Sequence, residues 1–165
     1  MKTGIFYGST TGNTANAAQQ IGALLTGAQT MPVEDAVKAS FEACGLLILG
    51  TSTWGIGDLQ DDWNDSLDSL RAADLRGKKV AIFGLGDQLG YPDTFVDAMG
   101  TLYETAVAAG ATVIGKWPTD DYDFLASAAV NGDQFLGLPL DEENQAAFTE
   151  ERIAAWVEQL LAEAF

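Results

Sequence analysis

Short apolar runs alternate along the chain with longer stretches in which apolar residues recur every three or four positions. A continuously apolar run is typical of a strand that is covered on both faces, so these runs predict strands. The periodic stretches between them predict amphipathic helices. The predicted strands are Thr3–Tyr7, Leu46–Gly50, Val80–Gly84 and Thr112–Gly115, with a weaker one at Thr30–Val33.

Helix ends are signalled at several places. Thr149 is a predicted N-cap for the last helix, and Glu150 and Glu151 would favour the positive end of its dipole. Gly27 and Gly110 stand where helix C-caps are expected, since glycine adopts the left-handed conformation there easily. The helix faces are predicted from Ala17, Ile21 and Leu24; Trp63, Leu67 and Leu70; Phe95, Met99, Leu102 and Ala106; and Ile153, Trp156, Val157, Leu160 and Leu161.

This alternation predicts an α/β fold, a doubly wound parallel sheet with helices on both faces. Right-handed crossovers would place the carboxyl ends of all strands at one edge, where such folds bind ligands. With 165 residues, a single domain spanning 1–165 is expected. The irregular stretch from Trp117 to Leu136 precedes the apolar run Leu136–Leu140 and predicts a long insertion, about residues 117–136, that interrupts the fifth strand.

Composition narrows the function. Eight basic and 24 acidic residues give a formal charge of −16, which would repel nucleic acid and anionic membranes but attract a basic protein surface. A generally acidic protein without such a partner would look the same. Histidine is absent and Cys44 is the only cysteine, so an internal disulfide and a thiol-rich metal site are excluded. Neither an apolar leader nor a membrane-length run is visible, which predicts a cytoplasmic protein.

The segment from Gly8 to Thr14 follows the first predicted strand and opens a helix. Backbone N–H groups and the helix dipole at such a turn favour phosphate. The segment carries four hydroxyls and no lysine or arginine, so it predicts a phosphate held by hydrogen bonds and not transferred. It matches neither the nucleotide-hydrolase pattern G-x-x-x-x-G-K-[ST] nor G-x-G-x-x-G. An ordinary strand-to-helix turn is the alternative.

Two later loops carry aromatic residues. Thr51–Asp58 presents Trp54 between glycine and hydroxyl residues, and Gly84–Asp93 presents Tyr91. An exposed indole would favour a flat group stacked on it, although Trp54 could also fold back onto the next helix. Tyr91 precedes a proline and could equally pack a turn. Together with the first loop, these features predict a planar ring between Trp54 and Tyr91 and suit flavin mononucleotide (FMN).

The three loops resemble the FMN-binding loops of flavodoxins, and the similarity continues through Trp117–Phe124 and Leu136–Asp141 to the last helix. The insertion resembles that of the long-chain subgroup. The resemblance implies a five-stranded parallel sheet of order 2-1-3-4-5, with FMN at the switch point. It implies a low-potential one-electron carrier, cycling mainly between flavin semiquinone and hydroquinone. It also implies that the chain is not an enzyme and is a monomer.

The resemblance assigns each cofactor-binding residue a place. The phosphate would lie on Ser9, Thr10, Thr11, Gly12, Asn13 and Thr14. Trp54 and Tyr91 would cover the two faces of the ring. The ribityl chain and ring edges would meet Ser52, Thr53, Ile56, Leu85, Gly86 and Asp87. Two residues depart from the common family pattern: Asn13 stands where many members have lysine, and Gly55 where asparagine is frequent. Gly55 would allow a peptide flip toward flavin N5.

The resemblance also implies redox partners, and three alternative functions remain open. Partners would be basic redox proteins such as ferredoxin/flavodoxin-NADP reductase, with nitrogenase reductase and photosystem I as further possibilities. The nearest enzyme alternative is an FMN-dependent quinone or azo reductase, which needs an open pocket above the ring. A phosphate-accepting receiver domain shares the architecture but needs carboxylates where Gly50-Thr51 and Gly8-Ser9 stand. A flavin-free interaction module with the same fold is the third alternative.

Overall fold

A central, mainly parallel sheet dominates the computed structural model, which describes residues 1–165. Its strands are β1 Thr3–Tyr7, β2 Gln29–Pro32, β3 Leu46–Trp54, β4 Asp58–Leu59, β5 Lys79–Leu85, β6 Thr112–Ile114 and β10 Leu138–Leu140. Their order is β2-β1-β3-β5, with β6 and β10 both lying on the far side of β5 and the short β4 paired to β3. This is the predicted order 2-1-3-4-5 once β4 is left out and β6 and β10 are counted as one strand.

The fifth strand is interrupted as predicted. β6 pairs with residues 79–81 of β5, and β10 pairs with residues 83–85, so the two pieces continue one another along the same neighbour. Between them the chain forms a separate antiparallel sheet of order β7-β9-β8. Its strands are Trp117–Pro118, Gln134–Phe135 and Val130–Asn131. The insertion therefore has its own short strands and returns the chain to β5.

Helices cover both faces of the sheet. Adjacent side chains of β1 show the division, because Ile5 packs toward α1 and α5, whereas Phe6 packs toward α2, α3 and α4. Two fully buried tryptophans fill these layers, Trp156 with Ile5 and Trp63 with Phe6. No helix has both the length and the apolar character needed to cross a membrane. The helices are α1 Asn13–Leu24, α2 Lys38–Glu42, α3 Asp61–Ala72, α4 Asp97–Ala108 and α5 Thr149–Ala164.

The two predicted C-cap glycines take the expected conformation. Gly27 has φ +82° and Gly110 has φ +103°. After α4, the amide of Gly110 donates to Val107 O and that of Ala111 to Ala106 O. This pair of bonds closes the helix and satisfies carbonyls that would otherwise lack partners.

Several predicted boundaries are wrong. Thr149 is the first residue of α5, and its hydroxyl bonds Glu142 instead of capping the helix. Phe95 lies before α4, whose N-cap is Val96. Leu24 and Leu161 are about half exposed, at 51% and 45%, so helical spacing alone overstated the width of the buried faces. The short α2, β4 and the insertion strands were not predicted because each spans at most five residues.

Candidate functional site

A cleft of about 350 Å³ opens where β1, β3 and β5 end, at the edge predicted for a ligand. That volume lies within the range of about 300–1,000 Å³ usual for small-molecule sites. Eleven predicted site residues line it. They are Thr11, Asn13, Thr14, Ser52, Thr53, Trp54, Gly55, Leu85, Gly86, Asp87 and Tyr91. The three segments singled out by sequence thus meet in one place.

Four other predicted residues do not line the cleft itself. The Ser9 hydroxyl accepts a hydrogen bond from the Gly12 amide at 3.1 Å, and the Thr10 hydroxyl accepts one from Gln60 Nε2 at 3.2 Å. Gly12 has no side chain to contribute and serves as the N-cap of α1. Ile56, at the tip of a hairpin, is 88% exposed and is not among the residues that line the cleft. Its contact with the ring edge stays a prediction.

The first loop, residues 8–14, presents backbone donors that the protein leaves unpaired. Gly12 N donates to Ser9, but the amides of Ser9, Thr10, Thr11, Asn13 and Thr14 donate to no protein atom. The last two belong to the first turn of α1, where the positive end of the helix dipole adds to their effect. This donor set suits an anion and requires no charged side chain.

Close packing beneath the first loop explains Gly8. Its amide donates to Gly50 O at 3.1 Å, and Trp63 Nε1 donates to the same carbonyl at 2.8 Å. A Cβ at Gly8 would lie 2.1 Å from Gln60 Oε1 and 2.7 Å from Trp63 Cδ1. Gln60 itself caps α3 by accepting from the amides of Asp62 and Trp63. The loop is therefore fixed by the start of α3, which requires glycine at this position.

The second segment is a hairpin, which corrects the predicted loop over Thr51–Asp58. β3 continues to Trp54 and turns back into β4, with Thr53 opposite Leu59 and Trp54 opposite Asp58. Gly55 has φ +54°, in the left-handed region that favours glycine. The strand outlasts its apolar run for two reasons. Thr51 and Ser52 are buried and still pair with β5. Thr53 and Trp54 pair with β4 instead.

The Trp54 indole stands at the mouth of the cleft and is 41% exposed. Its Nε1 donates to Ser52 Oγ at 2.7 Å, which fixes the ring relative to β3. Trp54 belongs to neither apolar cluster of the core, in contrast to Trp63 and Trp156. Its exposure at the cleft argues against the alternative in which Trp54 packs onto the following helix. One face of a large aromatic ring is available to a ligand.

The third loop, residues 86–91, provides the opposite wall. Tyr91 lines the cleft and is 57% exposed. Asp87 Oδ1 accepts from the Gly90 amide at 2.7 Å, from Asn144 Nδ2 at 2.7 Å and from the Leu89 amide at 3.2 Å. These bonds, led by that from Gly90, hold the pKa of Asp87 below its usual value against the opposing effect of partial burial. Its carboxylate thereby folds the loop.

Carboxylates, and no lysine or arginine, are the charged groups of the cleft. Besides Asp87, the lining includes Glu142 and Glu143, which sequence reasoning missed. Both follow β10 directly, and the end of the last strand at the same edge was the signal that could have revealed them. The cleft therefore combines neutral donors suited to an anion with carboxylates in its lining.

The residues fit FMN. A phosphate matches the unpaired amides and the Thr11 and Thr14 hydroxyls, and a flat ring matches the exposed faces of Trp54 and Tyr91. Ser52 and Thr53 add hydroxyl groups to the lining, and a sugar-alcohol chain needs such partners. In contrast, no group of three or more histidine, cysteine or acidic side chains is arranged to hold a metal ion.

Comparison with known proteins decides the family. The flavodoxin family model matches residues 5–156. The chain belongs to the flavodoxin family. A flavodoxin from Synechococcus elongatus is 44% identical over 165 residues, covering 98% of this chain and 97% of that one. A flavodoxin from Enterobacter agglomerans is 46% identical over 168 residues, with 95% of each chain covered.

Solved flavodoxin structures share the fold. The flavodoxin of Fusobacterium nucleatum bound to flavin mononucleotide superimposes with a TM-score of 0.94 at 34% identity, and 99% of each chain is covered. The doubly wound sheet with an interrupted fifth strand is therefore the flavodoxin fold, as the sequence resemblance implied.

Proposed function

We propose that the protein is a low-potential electron carrier that binds FMN non-covalently as one flavodoxin-like domain, residues 1–165. The observation that carries this proposal is the cleft itself: unpaired amides at one end and two exposed aromatic rings at the other. When bound, FMN supplies one-electron oxidation and reduction. The protein supplies binding, orientation and an electric field.

The first loop holds the phosphate in this proposal. The amides of residues 9–11, 13 and 14 donate to it, together with the hydroxyls of Ser9, Thr10, Thr11 and Thr14, while Asn13 adds a neutral amide. Hydrogen bonds to a charged acceptor contribute about 1.5–3 kcal/mol each. Several such bonds can replace the lysine that is absent here. The hydroxyls of Ser9 and Thr10 are held in place by hydrogen bonds from Gly12 and Gln60.

Trp54 and Tyr91 cover the ring, and Ser52, Thr53, Leu85, Gly86 and Asp87 surround its edge and the ribityl chain. The backbone at Gly55 has the conformational freedom to turn its carbonyl toward flavin N5 and to accept a hydrogen bond from a proton held there. One such bond of about 1–1.5 kcal/mol would shift a one-electron potential by roughly 40–60 mV.

The acidic surroundings account for a low potential. Asp87, Glu142 and Glu143 line the cleft, and Asp58, Asp61 and Asp62 follow the Trp54 hairpin. A carboxylate at roughly 10 Å, in a mixed dielectric, opposes an added negative charge by about 0.4–0.8 kcal/mol before screening. The sum of these contributions makes the second reduction difficult.

The same charge selects partners. A surface with a formal charge of −16 attracts and orients basic redox proteins in short-lived complexes. We propose ferredoxin/flavodoxin-NADP reductase as one partner, with nitrogenase reductase and photosystem I as others, and a monomeric carrier without substrate turnover of its own. We place this exchange in the cytoplasm, because its reducing conditions keep a free thiol such as that of Cys44 reduced.

One experiment separates the carrier from a quinone reductase on the same scaffold. The purified protein, loaded with FMN, is mixed with NADPH and a quinone, with and without ferredoxin-NADP reductase. We expect negligible oxidation of NADPH alone and rapid reduction of the bound FMN once the reductase is added. Fast turnover without the reductase would contradict the proposal and favour the enzyme.

A further inference from the structure

The carboxylate of Asp141 is completely buried just beyond β10, and no lysine or arginine side chain forms an ion pair with it. It accepts five hydrogen bonds from N–H groups instead. The donors are Gln88 N at 3.1 Å, Gln88 Nε2 at 2.8 Å, Glu143 N at 3.1 Å, Asn144 N at 3.0 Å and Asn144 Nδ2 at 2.9 Å. Burying a carboxylate is costly unless such donors replace water, so this arrangement has little freedom.

Two of these donors connect Asp141 to other parts of the molecule. Asn144 Nδ2 also donates to Asp87 Oδ1, at 2.7 Å, and so joins the carboxylate that folds the third loop to the buried one. Gln88, only 1% exposed, uses its Nε2 on Asp141 and its Oε1 to accept from the amide of Asp123 in the insertion. We call Asp141, Gln88 and Asn144 the polar bridge, in which Asp141 and Gln88 are buried and Asn144 is exposed.

The polar bridge brings together segments that are far apart in sequence. Gln88 is 53 residues from Asp141 and 35 from Asp123, and Asp87 is 57 from Asn144. The bridge therefore connects the loop that carries Asp87 and Tyr91 to the insertion. Asp141 and Gln88 are buried, so leaving one of their donors or acceptors without a partner costs more than the bond itself contributes. The exposed bond from Asn144 to Asp87 ties the third loop to this buried pair.

We propose that Asp141, Gln88 and Asn144 are positioning residues through which the insertion and the turn after β10 set the conformation of the third loop, and thereby the affinity for FMN. This inference rests on the proposed function, because the proposed function places FMN against the third loop, which the bridge supports. None of the three residues lines the cleft, and they act only through Asp87 and Tyr91.

Asn144→Ala tests the bridge, because it removes the side chain between Asp87 and Asp141 without removing the buried carboxylate. The matched control is Gln145→Ala. Gln145 also joins distant parts, donating to Asp121 O and accepting from Arg152, but it makes no bond to the third loop. Two quantities are measured: hydrogen exchange of the Leu89 and Gly90 amides in the apoprotein, and the dissociation constant of FMN.

Asn144→Ala should accelerate exchange of the Leu89 and Gly90 amides by about tenfold and weaken FMN binding by about three- to tenfold, the equivalent of one hydrogen bond. Gln145→Ala should change the exchange rates and the dissociation constant of FMN by less than about twofold. This difference between the variants should persist when their melting temperatures are similar. Equal effects of the two variants, or unchanged FMN affinity with Asn144→Ala, would overturn the inference.

Hydrogen exchange of the Leu89 and Gly90 amides in the apoprotein also separates this inference from the proposed function. If the unsubstituted protein fails to bind FMN, the proposed function falls and the functional part of the inference falls with it. The exchange rates still decide whether the bridge orders the loop.

Discussion

The first and third loops form the two ends of one cleft, but they are held by different means. The first loop rests on close packing, with Gly8 set against Gln60 and Trp63 at the start of α3. The third loop is folded by the Asp87 carboxylate, which accepts hydrogen bonds from the Leu89 and Gly90 amides and from Asn144. One end is therefore fixed by packing that leaves backbone amides free, and the other by hydrogen bonds to a carboxylate.

The two ends of the cleft also differ in the charges that they present. The first loop offers neutral donors and a helix dipole to an anion. The other end places Asp87, Glu142 and Glu143 around the ligand. A phosphate and an electron-accepting ring have opposite needs: the phosphate must be stabilised, whereas a negative charge on the ring must be made costly. The contrast explains how one small site can bind FMN firmly and still keep its potential low.

The largest effect is expected from Gly8→Val, which breaks the first loop. The new side chain would overlap Gln60 Oε1 and Trp63 Cδ1, and overpacking of this kind costs about 1–3 kcal/mol or more. FMN affinity should fall at least about 100-fold in a fluorescence titration, since the unpaired amides would be displaced. Gly45→Ala is the control, because its Cβ meets only the movable side chain of Met1. A loss below tenfold would contradict the account of this loop.

Trp54→Ala tests the aromatic wall. Stacking contributes about 0.5–1.5 kcal/mol beyond the burial of surface, so FMN affinity should fall about 10- to 100-fold. The melting temperature of the apoprotein should hardly change, since Trp54 lies outside both core clusters. Ile56→Ala, at the exposed tip of the same hairpin, should leave the affinity within about twofold. Equal losses in the two variants would show that the indole does not face the ligand.

Glu143→Gln tests whether the carboxylates of the cleft lower the potential of the bound FMN. Removing one carboxylate at roughly 10 Å should make the second one-electron potential less negative by about 20–40 mV, and added salt should reduce the difference. Glu158→Gln, on an exposed position of α5 outside the cleft, removes the same charge and should change the potential by only a few mV on the same estimate. Potentiometric titration checks this, and identical shifts would contradict a local field.

The smallest effect is a pH dependence at Asp87. Because its pKa is lowered in the folded protein, the stability it contributes is complete above its unfolded value, about 3.9, and is lost as the pH falls through the folded value. The difference in unfolding free energy between the apoprotein and Asp87→Asn should therefore be constant from pH 7 to about 5 and shrink below about pH 4. A difference that grows toward acid would contradict the hydrogen bonding described here.

The contrast between the two loops also explains what the sequence could predict. The first loop and the order of the main strands were predictable, because continuous apolar runs and a dense cluster of hydroxyls leave local signals. The hairpin after Trp54 was missed because pairing with β4 extends the strand past its apolar run. Glu142 and Glu143 were missed although they follow the last strand at the same edge, and the bonds of Asp141 left no local signal because its partner Gln88 is 53 residues away.

In the proposed complex, unpaired amides hold the phosphate while Trp54 and Tyr91 enclose the ring. Titrating the apoprotein with FMN and with riboflavin, which lacks the phosphate, separates these two contributions through quenching of flavin fluorescence. We expect both flavins to be quenched and FMN to bind at least about 100-fold more tightly, the equivalent of two hydrogen bonds. Equal affinity for the two flavins, or no quenching by FMN, would contradict it.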